Sequence, residues 1–204
     1  MAKKSWILRH INDEYVKRSQ KDGYPSRAAY KLLALQESYN ILRPGMAVVD
    51  LGAAPGGWSM VAADLVGKKG RIYAIDLLEM GPIEGVTVIR GDCFDESLPG
   101  ELLSFEPNGM HVVLSDMAPN MTGHRSVDQP RSMATVEMAA TLASELLKPG
   151  GTFLSKVFQG EGIDEFYRQL GKQYKKVIMR KPPASRSTSR EFYVLASGFL
   201  GYSN

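Results

Sequence analysis

The stretch Ala47-Val48-Val49-Asp50-Leu51-Gly52-Ala53-Ala54-Pro55-Gly56-Gly57-Trp58 decides how the chain is read. Its first five residues form a short, mostly apolar run of the kind that makes a buried strand. From Gly52 onward, small residues and glycine let the backbone turn tightly and approach a ligand with no side chains in between. A helical pattern follows from about Trp58 to Val66. The next strand, Arg71 to Ile75, ends at Asp76, which lies 20 residues after Gly56, the separation at which an acid bonds ribose hydroxyls. A nicotinamide dinucleotide would want glycines spaced G-x-G-x-x-G around its pyrophosphate. Here they run G-x-x-x-G-G with Pro55 inside the turn, which suits a cofactor with ribose and adenine but no pyrophosphate. Asp92 would then accept from the adenine amino group. Trp58 either packs near the cofactor or anchors its helix in the core, and a ligand-free glycine turn is the plainer alternative.

Outward from this stretch, short apolar runs alternate with helical ones, the pattern of an α/β domain with a mainly parallel sheet. Further strands are expected at Val86–Ile89, His111–Ser115 and Thr152–Val157, the first just before Asp92 and the second ending at Asp116. A long helix from about Asp128 to Leu147 is stopped by Pro149-Gly150-Gly151, and another lies near Asp164–Gly171. Tyr174–Met179 and Phe192–Ala196 are the last strands. The segment between them is too short for a crossover helix, so they should pair antiparallel. Ser26 to Ser38 reads as a helix with Arg27 and Lys31 one turn apart on one face. In an open parallel sheet, ligands bind beyond the carboxyl ends of the strands. Gly52, Asp76, Asp92, Asp116 and Lys156 all fall at that edge.

The 204 residues suit one domain, with no repeat or linker pointing to a second. We read 1–204 as a single domain, with a basic helical extension over 1–43 and a core that carries the glycine turn over 44–198. The single Cys93 excludes an internal disulfide, and His10, His111 and His124 show no metal-ligand spacing. No signal peptide or membrane span is expected, and a reducing, cytoplasmic setting fits. The net charge of +3 hides an asymmetry: residues 1–43 hold nine Lys/Arg against four Asp/Glu, and 172–190 hold seven against none. One-signed blocks at both ends of an acidic body mark either a solvated surface or a polyanion-binding one.

Several longer strings are more specific. Ser26-Arg27-Ala28-Ala29-Tyr30-Lys31-Leu32, Val49 through Ser59, Ser115-Asp116-Met117-Ala118-Pro119-Asn120 and Lys156-Val157-Phe158-Gln159-Gly160 resemble the FtsJ/RlmE family of RNA ribose 2′-O-methyltransferases. So does the tail from Arg180-Lys181-Pro182 through Ser189-Arg190-Glu191 and Tyr193. The match runs from about Trp6 to Ala196. It implies a Rossmann-like methyltransferase fold, with a mostly parallel seven-stranded sheet, an antiparallel last strand and helices on both faces. It also implies S-adenosyl-L-methionine as cofactor, held through Gly56, Trp58, Asp76, Asp92 and Asp116. The family's Lys-Asp-Lys-Glu tetrad maps onto Lys31, Asp116, Lys156 and Glu191, without substitution. The implied substrate is a uridine in the A loop of 23S rRNA, in the large ribosomal subunit, and the enzyme is expected to be a metal-free monomer.

The residues lend these positions independent support. Asp116 and Lys156 end neighbouring strands, and an antiparallel last strand starts at the same edge with Glu191. Lysine inside an apolar strand is costly to bury without partners, and the two acids are the obvious ones. A purely structural ion-pair network is the alternative. Lys31 alone would read as a solvated helical lysine; only the resemblance brings it to the site. Lys156 is expected to act as base, which requires it to be neutral at transfer. Burial and Lys31 favour that state, while Asp116 and Glu191 oppose it. RNA would be gripped through Lys3, Lys4, Arg9, Lys17, Arg18 and Lys21, and through Lys175, Lys176, Arg180, Lys181, Arg186 and Arg190. Two other readings stay open: a tRNA 2′-O-methyltransferase, and a non-catalytic RNA-binding ribosome-assembly factor.

Overall fold

A computed structural model describes residues 13–201. Lys3, Lys4, Arg9 and the start of the family resemblance at Trp6 lie outside the described residues. The first helix, α1 (Glu14–Asp22), is capped by Asp13 and closed by Gly23 in a left-handed conformation. α2 (Ala29–Tyr39) ends at Asn40, whose φ of 49° is again left-handed. Then come β1 (Ala47–Leu51), α3 (Gly57–Val66) with a short 3-10 turn, β2 (Arg71–Asp76) and β3 (Val86–Arg90). α4 (Leu98–Phe105), β4 (Met110–Ser115), α5 (Arg125–Leu146), β5 (Leu147–Phe158), α6 (Ile163–Gln173), β6 (Tyr174–Arg180) and β7 (Glu191–Phe199) complete the chain.

The seven strands form one sheet in the order β3-β2-β1-β4-β5-β7-β6. The neighbours from β3 to β5 are parallel, and β7 runs antiparallel to both β5 and β6. The strand order reverses between β1 and β4, which opens a crevice at their carboxyl ends. Alternating side chains divide the core into two layers. Val49, Leu51, Val113 and Phe153 face α4, α5 and α6. Val48, Leu114, Leu154, Tyr193 and Leu195 face α2 and α3. Because α2 contributes Ala29, Leu32 and Leu35 to that second layer, it is packed against the sheet along its length.

The strands sit close to where their apolar runs place them. Three features differ from the sequence reading. α5 begins at Arg125 rather than near Asp128, with Pro130 accommodated inside it. The helix then passes directly into β5 at Leu147, so Pro149-Gly150-Gly151 is part of the strand, at a register shift against β4. Gly150 has a φ of 83°, which lets this bulge form. α1 and α4 have no counterpart in the sequence reading: one is strongly charged, and the other is short and carries Pro99 in its first turn.

Candidate functional site

Strand alternation does much of the positioning. Asp116 lies two residues beyond Leu114, Lys156 two beyond Leu154, and Glu191 two before Tyr193, so all point to the layer that α2 covers. In the β5–β7 register, Lys156 stands opposite Tyr193 and Phe158 opposite Glu191. Lys31 reaches this group from α2. Its Nζ lies 2.9 Å from Glu191 Oε1, with both side chains largely buried. Lys156 Nζ lies 3.2 Å from Asp116 Oδ1 and also donates to the Asp116 main-chain carbonyl. The four residues singled out by the resemblance are therefore two ion pairs side by side.

Tyr193 stands between the pairs. Its ring is fully buried, packs on Trp58 at a centroid distance of 5.6 Å, and lies 5.6 Å below Lys31 Nζ. Its hydroxyl donates to Asp116 Oδ1 at 2.5 Å, the same oxygen that faces Lys156. Burial, with the neighbouring Asp116 and Glu191 carboxylates, pushes the phenol well above its usual range, so it remains a donor. Tyr193 occurs in the family-like tail, but nothing in its spacing signals this link; the strand register reveals it.

Next to Asp116 is a pocket of about 520 Å³ whose wall includes Gly52, Ala54, Asp76, Asp92 and Asp116. Asp76 Oδ2 accepts from Ala54 N at 2.9 Å and Oδ1 from Leu78 N at 2.8 Å, which ties the glycine turn to the end of β2. Asp92 Oδ1 accepts from Phe94 N at 3.0 Å, closing its own turn. Each of these carboxylates keeps lone pairs free for ribose hydroxyls or an exocyclic amine. The turn itself leaves no room for side chains. Gly52 (φ 68°) and Gly56 (φ 101°) adopt left-handed backbone, and a Cβ on them would lie 2.2 Å from Met117 Cγ and 2.5 Å from Ile83 Cδ1. Gly56 caps α3, whose first turn has no side-chain cap, so its amides can take an anionic ligand group. Leu77 and Leu78, 64% and 67% exposed, and Met117 give the pocket apolar surfaces that suit an adenine ring. Sequence reasoning missed these three; the exposed leucine pair directly after a strand-end acid was the available signal.

Of the proposed cofactor contacts, Gly56 and Trp58 are not part of the pocket wall, and the Trp58 side chain faces away from it. That side chain is 3% exposed in the layer under α2 and α3, and its Nε1 donates to Ala28 O at 2.9 Å. Any contact to a ligand would come from its main-chain amide. Asp50 is a buried acid that sequence reasoning does not single out. It points towards α3, where Ser59 Oγ donates to its Oδ2 at 2.6 Å. Burial raises its carboxyl to about 7, with Ser59 holding it down and Asp116 and Asp76 adding to the rise. Cys93 lines the pocket wall, and its thiol is raised to about 11 by burial, so it stays protonated and unreactive. His111 lies at the opposite sheet edge, where Nδ1 accepts from Ala47 N at 3.0 Å. Among the described residues, no three His, Cys, Asp or Glu side chains gather where they could hold a metal ion, and no helix is long and apolar enough to cross a membrane.

The basic residues proposed to meet RNA fall into two groups. Lys17, Arg18 and Lys21 lie on the exposed side of α1, where Arg18 pairs with Asp22 at 3.3 Å. Lys175, Lys176 and Arg180 lie on β6, and Lys181, Arg186 and Arg190 lie in the loop between β6 and β7. Lys181 Nζ donates to Ser187 O at 3.2 Å and to Ser189 O at 2.5 Å, which orders the loop. Arg180 Nε donates to Tyr39 OH at 2.5 Å, and Arg190 donates to Gln159 O.

The model of a family described as FtsJ-like methyltransferase matches residues 24–199. A relative from Chromohalobacter salexigens named ribosomal RNA large subunit methyltransferase E is 53% identical over 198 residues, covering 97% of this chain and 94% of the relative. A protein of the same name from Pseudomonas aeruginosa is 53% identical over 199 residues, covering 96% and 95%. Among solved structures, a Plasmodium falciparum protein described as a ribosomal RNA methyltransferase superposes with a TM-score of 0.77 at 27% identity, covering 88% of this chain and all of that one.

Proposed function

Because this chain belongs to the FtsJ-like methyltransferase family, we propose that it transfers a methyl group from S-adenosyl-L-methionine to the ribose 2′-hydroxyl of a uridine in the A loop of 23S rRNA, in the large ribosomal subunit. The observation that carries this reading is the pair of buried ion pairs, Lys156–Asp116 and Lys31–Glu191, with Tyr193 between them and with Asp116 also in the wall of the acid-lined pocket. The residues at the pocket fit the cofactor's chemistry. Asp76 would take the ribose hydroxyls, Asp92 the adenine amine, the amides behind Gly56 the carboxylate, and Asp116 the positively charged end. When bound, the cofactor supplies an activated methyl on a sulfonium whose departure leaves a neutral thioether.

The protein's own task is then alignment and one proton. Lys156 Nζ, beside Asp116, acts as base only after its ammonium has given up a proton to solvent; the neutral amine then takes the 2′-hydroxyl proton, and Lys31 and Glu191 orient that hydroxyl from the other side. Tyr193 positions the centre: by donating to Asp116 Oδ1, it fixes the carboxylate that faces Lys156. The chain works as one domain, with 44–198 carrying the chemistry and the basic 1–43 engaging RNA as a monomer in the cytoplasm. The reading is tested by single-turnover methyl transfer across pH. A base role predicts a rate that climbs with pH, and a rate independent of pH between about 6 and about 10 would remove it.

A further inference from the structure

A second pocket, of about 410 Å³, adjoins the Lys31–Glu191 pair, and its wall holds Ser26, Arg27, Arg186, Thr188 and Ser189. Arg27 lies two residues before the start of α2, and Arg186 comes from the loop before β7. Two guanidiniums brought together from such distant parts of the chain repel one another. Arg27 registers this: burial, and after it the charge of Arg186, lower its pKa. One carboxylate bridges the two, and Arg27 also donates to the Ala184 main-chain carbonyl. Asp13 Oδ2 accepts from Arg27 and, at 3.3 Å, from Arg186 Nε. Its other oxygen, Oδ1, accepts from Tyr15 N at 3.1 Å and caps α1. The division of labour matters, since Oδ2 can release the arginines while Oδ1 keeps the helix capped.

Two guanidiniums and one carboxylate leave a single positive charge, and Lys31 and Glu191 cancel beside it. One phosphodiester carries the charge that balances this remainder. Arginine forks match the geometry of its oxygens, and the Ser26, Thr188 and Ser189 hydroxyls supply neutral donors around them. Lys31 and Glu191 line this pocket and also belong to the reaction centre, so the phosphate would be one next to the methylated ribose. We infer that Arg27 and Arg186 form a clamp for a backbone phosphodiester of the RNA substrate, and that the Asp13 carboxylate occupies this clamp in the RNA-free chain. The inference rests on the RNA-methylating reading above. It adds that RNA binding exchanges an internal anion for an external one.

The test measures equilibrium binding of 23S rRNA between about 50 and about 200 mM salt. Arg186 is partly exposed, so Arg186→Ala should fold, and an unchanged affinity for S-adenosyl-L-methionine verifies this. Arg186→Ala should weaken RNA binding about tenfold and flatten the salt slope by about one. Arg186→Lys should keep the slope and recover part of the affinity. Asp13→Asn retains a capping side chain but removes the competing charge, so it should bind RNA more tightly than wild type. An unchanged slope in Arg186→Ala, or weaker RNA binding by Asp13→Asn, overturns the clamp. Wild-type protein that methylates neither rRNA nor large subunits defeats the functional reading instead, a separate outcome.

Discussion

At the proposed reaction centre, a single oxygen, Asp116 Oδ1, is shared by the Lys156 ammonium and the Tyr193 hydroxyl. Two substitutions separate the roles of these neighbours. Lys156→Ala should lower the single-turnover rate by about 10²-fold or more, the usual contribution of a positioned base, while cofactor affinity is kept. A variant with near-normal turnover would take Lys156 out of the chemistry. Tyr193→Phe keeps the buried ring but removes the hydroxyl that holds Asp116 Oδ1 in place against Lys156. Its single-turnover rate should fall while cofactor affinity is kept, and an unchanged rate would reduce Tyr193 to packing. Strand ends made Asp116, Lys156 and Glu191 legible, because the sheet edge is where a parallel fold gathers its ligands. The same logic could not find Lys31, whose pairing depends on how α2 leans on the sheet. It could not find the Tyr193 bond either, because that bond depends on register.

Among the elements, the unit of β1, glycine turn and α3 carries the clearest consequences. At Gly56 the φ is 101°, and an added Cβ would lie 2.5 Å from Ile83 Cδ1, which leaves a side chain no space. Gly56→Ala should therefore weaken cofactor binding, with a local strain of about 1–3 kcal/mol, read by calorimetric titration. Asp50 beneath the turn gives a stability prediction. Its carboxyl is raised from 3.8 to about 7 in the fold, so the folded chain holds a proton that the unfolded chain has lost. Its contribution to stability is complete below about pH 4 and is lost as pH rises through about 7, by up to about 4 kcal/mol. Asp50→Asn is neutral throughout and should flatten the fall in urea-measured stability between about pH 4 and about pH 7; an unaltered fall would assign it to other groups. The strands were legible because they are continuous apolar runs. α1 was not, since its sequence is mostly charged and only Val16 and Ser19 are buried. Pro149-Gly150-Gly151 misled for a physical reason: residues that end a helix also serve a strand bulge.

Across the molecule, the basic residues divide between the two ends of the sequence, and Asp13 links them by pairing with both Arg27 and Arg186. Charge counts along the sequence could suggest a polyanion partner but could not show that α1 and the loop before β7 meet beside Lys31. Phosphate gripping of this kind predicts that RNA affinity falls steeply, by orders of magnitude, as salt rises from about 50 to about 200 mM, and a flat response would contradict it. Everything proposed for the site turns on which atom receives the methyl group. The direct measurement supplies labelled S-adenosyl-L-methionine to the protein with large ribosomal subunits, free ribosomal RNA and tRNA, and then maps the modified nucleotide. Label is expected on the ribose 2′-oxygen of one uridine of the large-subunit RNA. Label confined to tRNA, or on a base rather than a ribose, would overturn the proposed reaction.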